Sequence, residues 1–257
     1  MTTHTQPKLA GTPTWVDLMA PDLDAARSFY QAIFGWDYDI APPEYGGYSN
    51  AKVAGRIAAG MGGPMPDAPP APSAWSMYFA TNSIEADVDR AVGLGASVHV
   101  PAMQVGPFGS MAILADPTGA VFGFWQAGQH IGAQVTDEHG AAAWYELYTP
   151  NLQQAREFYS ALLGATDEPM PGGPEYYVLK RGEHQLCGLM EIDPAWGALP
   201  AQWMIYFGVT NVDTAVAAVT SHGGQALSAI EPTPFGRMAT VADPAGAQFK
   251  IIEVGES

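Results

Sequence analysis

Two carboxylates are set where they could do chemistry. Asp17 and Glu146 each follow a tryptophan by two residues, in Trp15-Val-Asp17 and Trp144-Tyr-Glu146. In an extended strand, residues two apart point to one face. A carboxylate among indoles is costly to desolvate unless it is hydrogen-bonded or paired. Three roles are open to it: a structural hydrogen bond to a nearby turn or to the other half of the chain, a counter-charge for a cationic ligand, or a general base whose pKa rises in apolar surroundings.

The same strand faces carry further apolar groups. The first half offers Trp15, Met19, Trp75, Met77 and Phe79, and the second offers Trp144, Tyr148, Trp203, Ile205 and Phe207. Phe108 and Phe235 sit in a repeated Pro-Phe-Gly. Arg237 lies just beyond the second copy, where the first has Ser110. Aromatic faces and adaptable methionine suit a flat apolar ligand. The competing reading is that these side chains fill the core of a small barrel.

The elements that must position these residues are duplicated. Trp15-Val-Asp-Leu-Met-Ala-Pro-Asp-Leu-Asp-Ala-Ala-Arg-Ser-Phe-Tyr-Gln-Ala-Ile-Phe-Gly over residues 15–35 returns over 144–164 as W-x-E-L-x-x-P-x-L-x-x-A-R-x-F-Y-x-A-x-x-G. Each copy reads as a strand ended by proline, then a helix. In the first, Asp22 is the N-cap, Ala26, Phe29, Tyr30, Ile33 and Phe34 form the apolar stripe, and Gly35 closes the helix. Tyr30 and Tyr159 belong to that stripe and read as packing. Strands are expected near 36–40, 46–53 and 55–61. A second unit starts at Trp75, with a helix over 84–94 and strands near 97–104, 109–115 and 120–127. Trp75-x-x-Tyr-Phe79 returns as Trp203-x-x-Tyr-Phe207, and Asp116-Pro-x-Gly119 as Asp243-Pro-x-Gly246. The expected division is therefore a flexible N-terminus over 1–11, a first domain over 12–127, a linker over 128–141 and a second domain over 142–255. Residues 62–74, rich in proline and glycine, read as a connector or as a lid over a pocket.

Bulk properties exclude several classes. The chain has 257 residues and a net charge of −16. Both halves are acidic, so neither carries a nucleic-acid footprint and an anionic membrane would repel the chain. The acidity favours encounter with cationic small molecules. A single cysteine, Cys187, precludes an intrachain disulfide. No apolar run is long enough to span a membrane, and a cytoplasmic location is the expectation.

A strand running through Pro/Asp into a helix ending in F-Y-x-x-x-x-G, with D-P-x-G before a closing strand, resembles the vicinal oxygen chelate superfamily: glyoxalase I, bleomycin-resistance proteins and extradiol dioxygenases. G-T-P-x-W-V-D-L and D-P-T-G-A-x-x-G-x-W-Q-A resemble two-domain actinobacterial glyoxalase-like proteins more closely still. The resemblance covers nearly all of residues 12–254. It implies an α+β fold of tandem vicinal oxygen chelate domains, each of two βαβββ units forming a curved sheet around a cup. It also implies metal-ligand positions at the start of the first strand, late in the first unit, at the start of the second unit, and seven residues beyond the Asp of D-P-x-G. Here those are Trp15 and Trp144, Met61 or a neighbour and Glu191, Trp75 and Trp203, and Gly123 and Lys250. Indole has no lone pair for a cation and lysine has the wrong charge. No metal and no cofactor are therefore expected.

Two functions follow from that resemblance. One is metal-independent binding of a flat aromatic, possibly cationic, natural product or antibiotic, in resistance or as an accessory to its biosynthesis. The other is a glyoxalase-like lyase or isomerase, or a cofactor-independent oxygenase, with Asp17 or Glu146 as base. A small aromatic ligand is the expected partner. A monomer containing an intramolecular pseudo-dimer is expected, with a homodimer as the alternative.

Overall fold

The structure, a computed structural model, describes residues 1–42, 45–64, 72–170, 175–197 and 199–255. The middle of the proline-rich stretch, read above as connector or lid, lies outside the described residues. β1 (Thr2–Thr3) precedes the first unit, which comprises β2 (Pro13–Met19), α1 (Leu23–Phe34), β3 (Asp37–Ile40), β4 (Ser49–Val53) and β5 (Arg56–Gly62). The second unit holds β6 (Ala74–Ala80), α2 (Ile84–Gly93), β7 (Ser97–Val105), β8 (Gly109–Ala115) and β9 (Val121–Ala127). Past β10 (Val135–Thr136), the third unit runs β11 (Ala142–Thr149), α3 (Leu152–Leu163), β12 (Thr166–Pro169), β13 (Tyr176–Arg181) and β14 (His184–Glu191). The fourth runs β15 (Gln202–Val209), α4 (Val212–Ser221), β16 (Gln225–Ala226), β17 (Glu231–Thr233), β18 (Gly236–Ala242) and β19 (Gln248–Glu253).

The helices begin and end as their residues dictate. Asp22 accepts from Ala25 N at 3.0 Å, and Gly35 at φ 66° turns the chain while donating to Gln31 O. Asn151 and Gly164 do the same for α3. The buried face of α1 is Ala26, Phe29, Tyr30, Ile33 and Phe34, the stripe that the sequence spacing draws.

The first sheet has the order β3-β4-β5-β2-β6-β9-β8-β7, two four-stranded units joined antiparallel through β2 and β6. The second has the order β12-β13-β14-β11-β15-β19-β18-β16, with β17 also paired to β18. This is the α+β arrangement that the duplication implies. Residues 1–11, expected to be loose, are tied down: Thr2–Thr3 pair with Val135–Thr136, and Arg181 of the second domain donates to Ala10 O.

The core is continuous across both domains. α1 packs toward the second sheet, with Tyr30 5.6 Å from Phe249 and Phe34 5.1 Å from Phe207. α3 packs toward the first, with Phe158 6.0 Å from Phe122. Trp75 lies 4.9 Å from Phe207, and Phe79 lies 5.7 Å from Trp203. Each sheet thus buries its helix-side face against the other domain and turns its concave face outward. Among the described residues no helix is long and apolar enough to cross a membrane.

Candidate functional site

Register decides which side chains enter each cup, because directly opposed residues of an antiparallel pair share a face. On β2, Val16 and Leu18 join the interdomain core, leaving Trp15, Asp17 and Met19 on the concave side. Their partners on β6 are Tyr78, Ser76 and Ala74. Trp75, Met77 and Phe79 therefore face the helices and are buried in the interdomain core. The second domain repeats this: Trp144, Glu146 and Tyr148 oppose Tyr206, Met204 and Gln202, while Trp203, Ile205 and Phe207 face away. The expectation that these six residues line the cups is corrected. They sit one residue out of phase with the concave face, and a one-residue shift exchanges faces.

Asp17 lies on the floor of the first cup, 8% exposed. Its Oδ2 accepts from the Tyr78 hydroxyl at 3.2 Å and the Tyr48 hydroxyl at 3.3 Å. Trp15 Nε1 in turn donates to Tyr48 Oη at 3.2 Å. Oδ1 is buried and has no hydrogen-bond partner. Burial raises the Asp17 carboxyl to about 6, against the opposing pull of its two phenol donors. Both phenols are held well above their ordinary value, first by burial and then by the Asp17 charge, so they stay protonated donors. Two glycines make room. A Cβ on Gly60 would stand 1.9 Å from Tyr48 Oη, and one on Gly123 would stand 2.2 Å from the Tyr78 ring.

One end of this cup is closed by linker residues. His130 meets the Trp15 ring edge-on at 4.4 Å and accepts from Gly132 N, and Ala133 packs beside it. Burial lowers the His130 imidazole to about 4, leaving it neutral. At the other end apolar side chains reach the surface. Met19 is 39% exposed, and Tyr45 and Phe108, from opposite edges of the curled sheet, approach to 5.9 Å. Met103, opposite Met111 on the same face, is also exposed.

The second cup repeats this plan, with Tyr148 where the first has Met19 and with Lys250 added. Trp144 Nε1 donates to Tyr176 Oη at 2.9 Å, and Tyr206 Oη donates to Glu146 Oε1 at 2.8 Å. Lys250 enters from β19, donating to Tyr206 Oη at 2.9 Å with its Nζ 4.0 Å from Glu146 Oε1. Its ammonium lies 4.9 Å from the Tyr206 ring centroid and 5.4 Å from that of Tyr148. Burial lowers the Lys250 pKa, and the Glu146 and Glu231 charges oppose that. Trp196 stands edge-on to Tyr148 at 5.9 Å.

Arg237 was expected to line this cup and does not. It is on the α4 side of β18, bound to Asp213 Oδ2 at 2.6 Å, while its neighbour Met238 packs into the cup cluster. Phe235 is 63% exposed at the hairpin tip. The residues that sequence reasoning missed are Tyr48, Tyr78, Tyr176, Tyr206 and Lys250. Two of them stood in the repeated W-x-x-Y-F, where the tyrosine, not the tryptophan, shares the parity of the concave face.

The metal implied by the resemblance does not fit these donors. Among the described residues each cup offers one carboxylate, phenols that burial keeps protonated, and indoles. Two of the implied positions, Trp75 and Trp203, face away altogether. Among the described residues no three His, Cys, Asp or Glu side chains converge. Divalent ions need several oxygen or nitrogen lone pairs together.

Comparison with known proteins agrees with this architecture. Residues 14–124 match a model of the glyoxalase-like domain, and residues 130–251 match the glyoxalase/bleomycin resistance protein/dioxygenase superfamily. A Mycobacterium tuberculosis protein named "Putative glyoxylase CFP32" is 40% identical over 95% of both chains. The anthracycline biosynthesis protein DnrV of Streptomyces peucetius is 34% identical over 96% of this chain and 94% of its own. Among solved structures, the Mn(II)-bound glyoxalase from Novosphingobium aromaticivorans superposes with a TM-score of 0.66 at 15% identity, covering 96% of this chain and 83% of that one. The 2,3-dioxygenase LapB from Pseudomonas sp. KL28 gives 0.65 at 14% identity, covering 97% and 94%. At such identities the likeness is one of fold.

Proposed function

This chain belongs to the glyoxalase/bleomycin resistance protein/dioxygenase superfamily, and we propose that it binds a flat aromatic small molecule, without a metal, as an accessory to natural-product biosynthesis. The first-domain cup is the site in this reading. Its mouth is Met19, Tyr45, Met103 and Phe108, its walls include Trp15 and Trp125, and its floor is Asp17. The observation that carries the reading is the buried Asp17 Oδ1 without a partner, on a sheet face whose exposed rim is aromatic and methionine. Buried carboxylate oxygens ordinarily find donors within the protein, so an orphan at the base of a cup is suited to a donor brought by a ligand. The relatives named for anthracycline biosynthesis support a polycyclic aromatic as the ligand class.

Trp15 and Trp125 make the test direct. Titrating the purified protein with a panel of polycyclic quinones should quench tryptophan fluorescence saturably. Absence of quenching across the panel would sink the reading.

A second reading is favoured by one observation. A carboxylate raised to about 6 with one oxygen free has the properties of a general base near neutral pH. In that case Asp17 Oδ1 would remove a proton from a bound aromatic while Tyr48 and Tyr78 hold the carboxyl in place through Oδ2. Turnover of a bound quinone or phenol, abolished in Asp17→Asn with binding retained, separates catalysis from binding alone.

A further inference from the structure

The duplication supplies an internal comparison. Asp17 pairs with Gly60 across β2 and β5, and Glu146 pairs with Gly188 across β11 and β14. Trp15 opposes Tyr78 as Trp144 opposes Tyr206. A Cβ on either glycine would stand 1.9 Å from a tyrosine hydroxyl, Tyr48 in one cup and Tyr176 in the other. Carboxylate, two phenols and indole are therefore the same set built twice. Besides Met19 and Ser76, whose counterparts are Tyr148 and Met204, the two cups differ in charge where Tyr78 registers with Gly123 and Tyr206 registers with Lys250.

That difference decides the charge. In the second cup the ammonium of Lys250 sits between the tyrosines, in hydrogen-bond contact with Tyr206 and 4.0 Å from Glu146. The cup holds its own cation. In the first cup no such group exists among the described residues: Asp17 takes part in no ion pair, and Oδ1 is orphaned. The groups facing Asp17 are Tyr48 and Tyr78, with neutral His130 beyond Trp15. The Tyr78 ring fills the room above Gly123, the position that carries Lys250 in the second domain, so no side chain can stand there to serve Asp17.

We propose that the ligand of the first cup carries a protonated amine, which donates to Asp17 Oδ1 and supplies the positive charge that Lys250 brings beside Glu146. The second cup is filled by its own lysine, so one such ligand binds per chain. The proposal rests on the reading of the first cup as an aromatic-ligand site and adds the ligand's charge. An ammonium ringed by phenol faces above a desolvated carboxylate gains both a charge-assisted hydrogen bond and cation–π attraction.

The test uses 2-(aminomethyl)anthraquinone and its N-acetyl derivative, which share a ring system and differ by one positive charge. Each is titrated calorimetrically into the full-length protein, into Asp17→Asn, and into Glu146→Gln as a control. The amine should bind the native protein with one site per chain, at least about tenfold tighter than the acetamide. That preference should vanish in Asp17→Asn and persist in Glu146→Gln. Equal binding of amine and acetamide to the native protein overturns the proposal and leaves the aromatic site standing, whereas failure of both to bind removes the aromatic site as well. The native-protein comparison stands alone if a variant fails to fold. Two sites per chain would overturn the assignment of Lys250 as occupant of the second cup.

Discussion

Tyr159 of the second domain donates its hydroxyl to Asp116 Oδ2 of the first at 2.8 Å, and Tyr30 of the first donates to Asp243 Oδ2 of the second at 3.2 Å. The bonds are reciprocal. Each tyrosine also accepts from an indole, Trp203 Nε1 or Trp75 Nε1, at 3.0 Å. Each aspartate spends its other oxygen on the backbone of its own D-P-x-G turn: Oδ1 of Asp116 takes Thr118 N and Ala120 N, and Oδ1 of Asp243 takes Ala245 N and Ala247 N. A turn signal and a helix stripe residue thereby become one interdomain clamp.

The two halves of the clamp are not equally protected. Asp243 Oδ2 also accepts from Ser73 Oγ at 3.0 Å, and Asp116 Oδ2 has no such second donor among the described residues. Tyr159→Phe should therefore cost about 2–3 kcal/mol, and Tyr30→Phe about 1 kcal/mol. Urea unfolding of the two variants measures the difference. Equal losses would mean that Ser73 contributes nothing.

Asp17 should make stability depend on pH. Its carboxyl is raised from 3.8 to about 6 in the fold, so the folded state holds the proton more tightly than the unfolded chain. That contribution is fully present below pH 4 and is lost as pH rises through 6. Two pKa units correspond to about 3 kcal/mol as an upper bound. Asp17→Asn removes the titration, so the stability of the native protein minus that of the variant should fall between pH 4 and 6 and level off above. A flat difference across that window would contradict the burial argument.

Lys250 should be needed by Glu146. Lys250→Met leaves a 5% exposed carboxylate with only its phenol donors, and a loss of about 2 kcal/mol is expected, reduced from a fully buried pair because the lysine is partly solvated. Adding Glu146→Gln to that variant should recover most of the loss. A double-mutant cycle by thermal unfolding reads the coupling, and additive losses would show that the pair does not interact.

Chelation should change nothing. With one carboxylate per cup among the described residues and phenols that stay protonated, dialysis against EDTA should leave both the melting temperature and quinone binding unaltered. Stoichiometric zinc, manganese or iron retained by the purified protein, with a melting temperature that drops on its removal, would refute the donor argument.

Much of this molecule is written in local pattern. The repeated W-x-[DE]-L-x-x-P fixes two equivalent strand–helix units. Asp22, Gly35, Asn151 and Gly164 bound the helices because capping and left-handed turns depend on one or two residues. Trp15 and Asp17 share a face because strands have a period of two. What the sequence could not decide is how that face meets its neighbour. Both faces of β6 are apolar, so periodicity alone cannot tell whether Trp75 or Tyr78 enters the cup, and only the register of Asp17 against Ser76 settles it. Tyr48 reaches Asp17, and Tyr176 reaches Trp144, from segments more than thirty residues away in the chain. Lys250, which looked like a failed metal ligand, acquires its meaning only when the sheet lays it between Tyr148 and Tyr206 beside Glu146. Asp17 and Glu146 look alike in sequence. Tertiary structure separates them, because a buried carboxylate is defined by the charges that packing brings within reach, and here, among the described residues, packing brings a cation to one and none to the other.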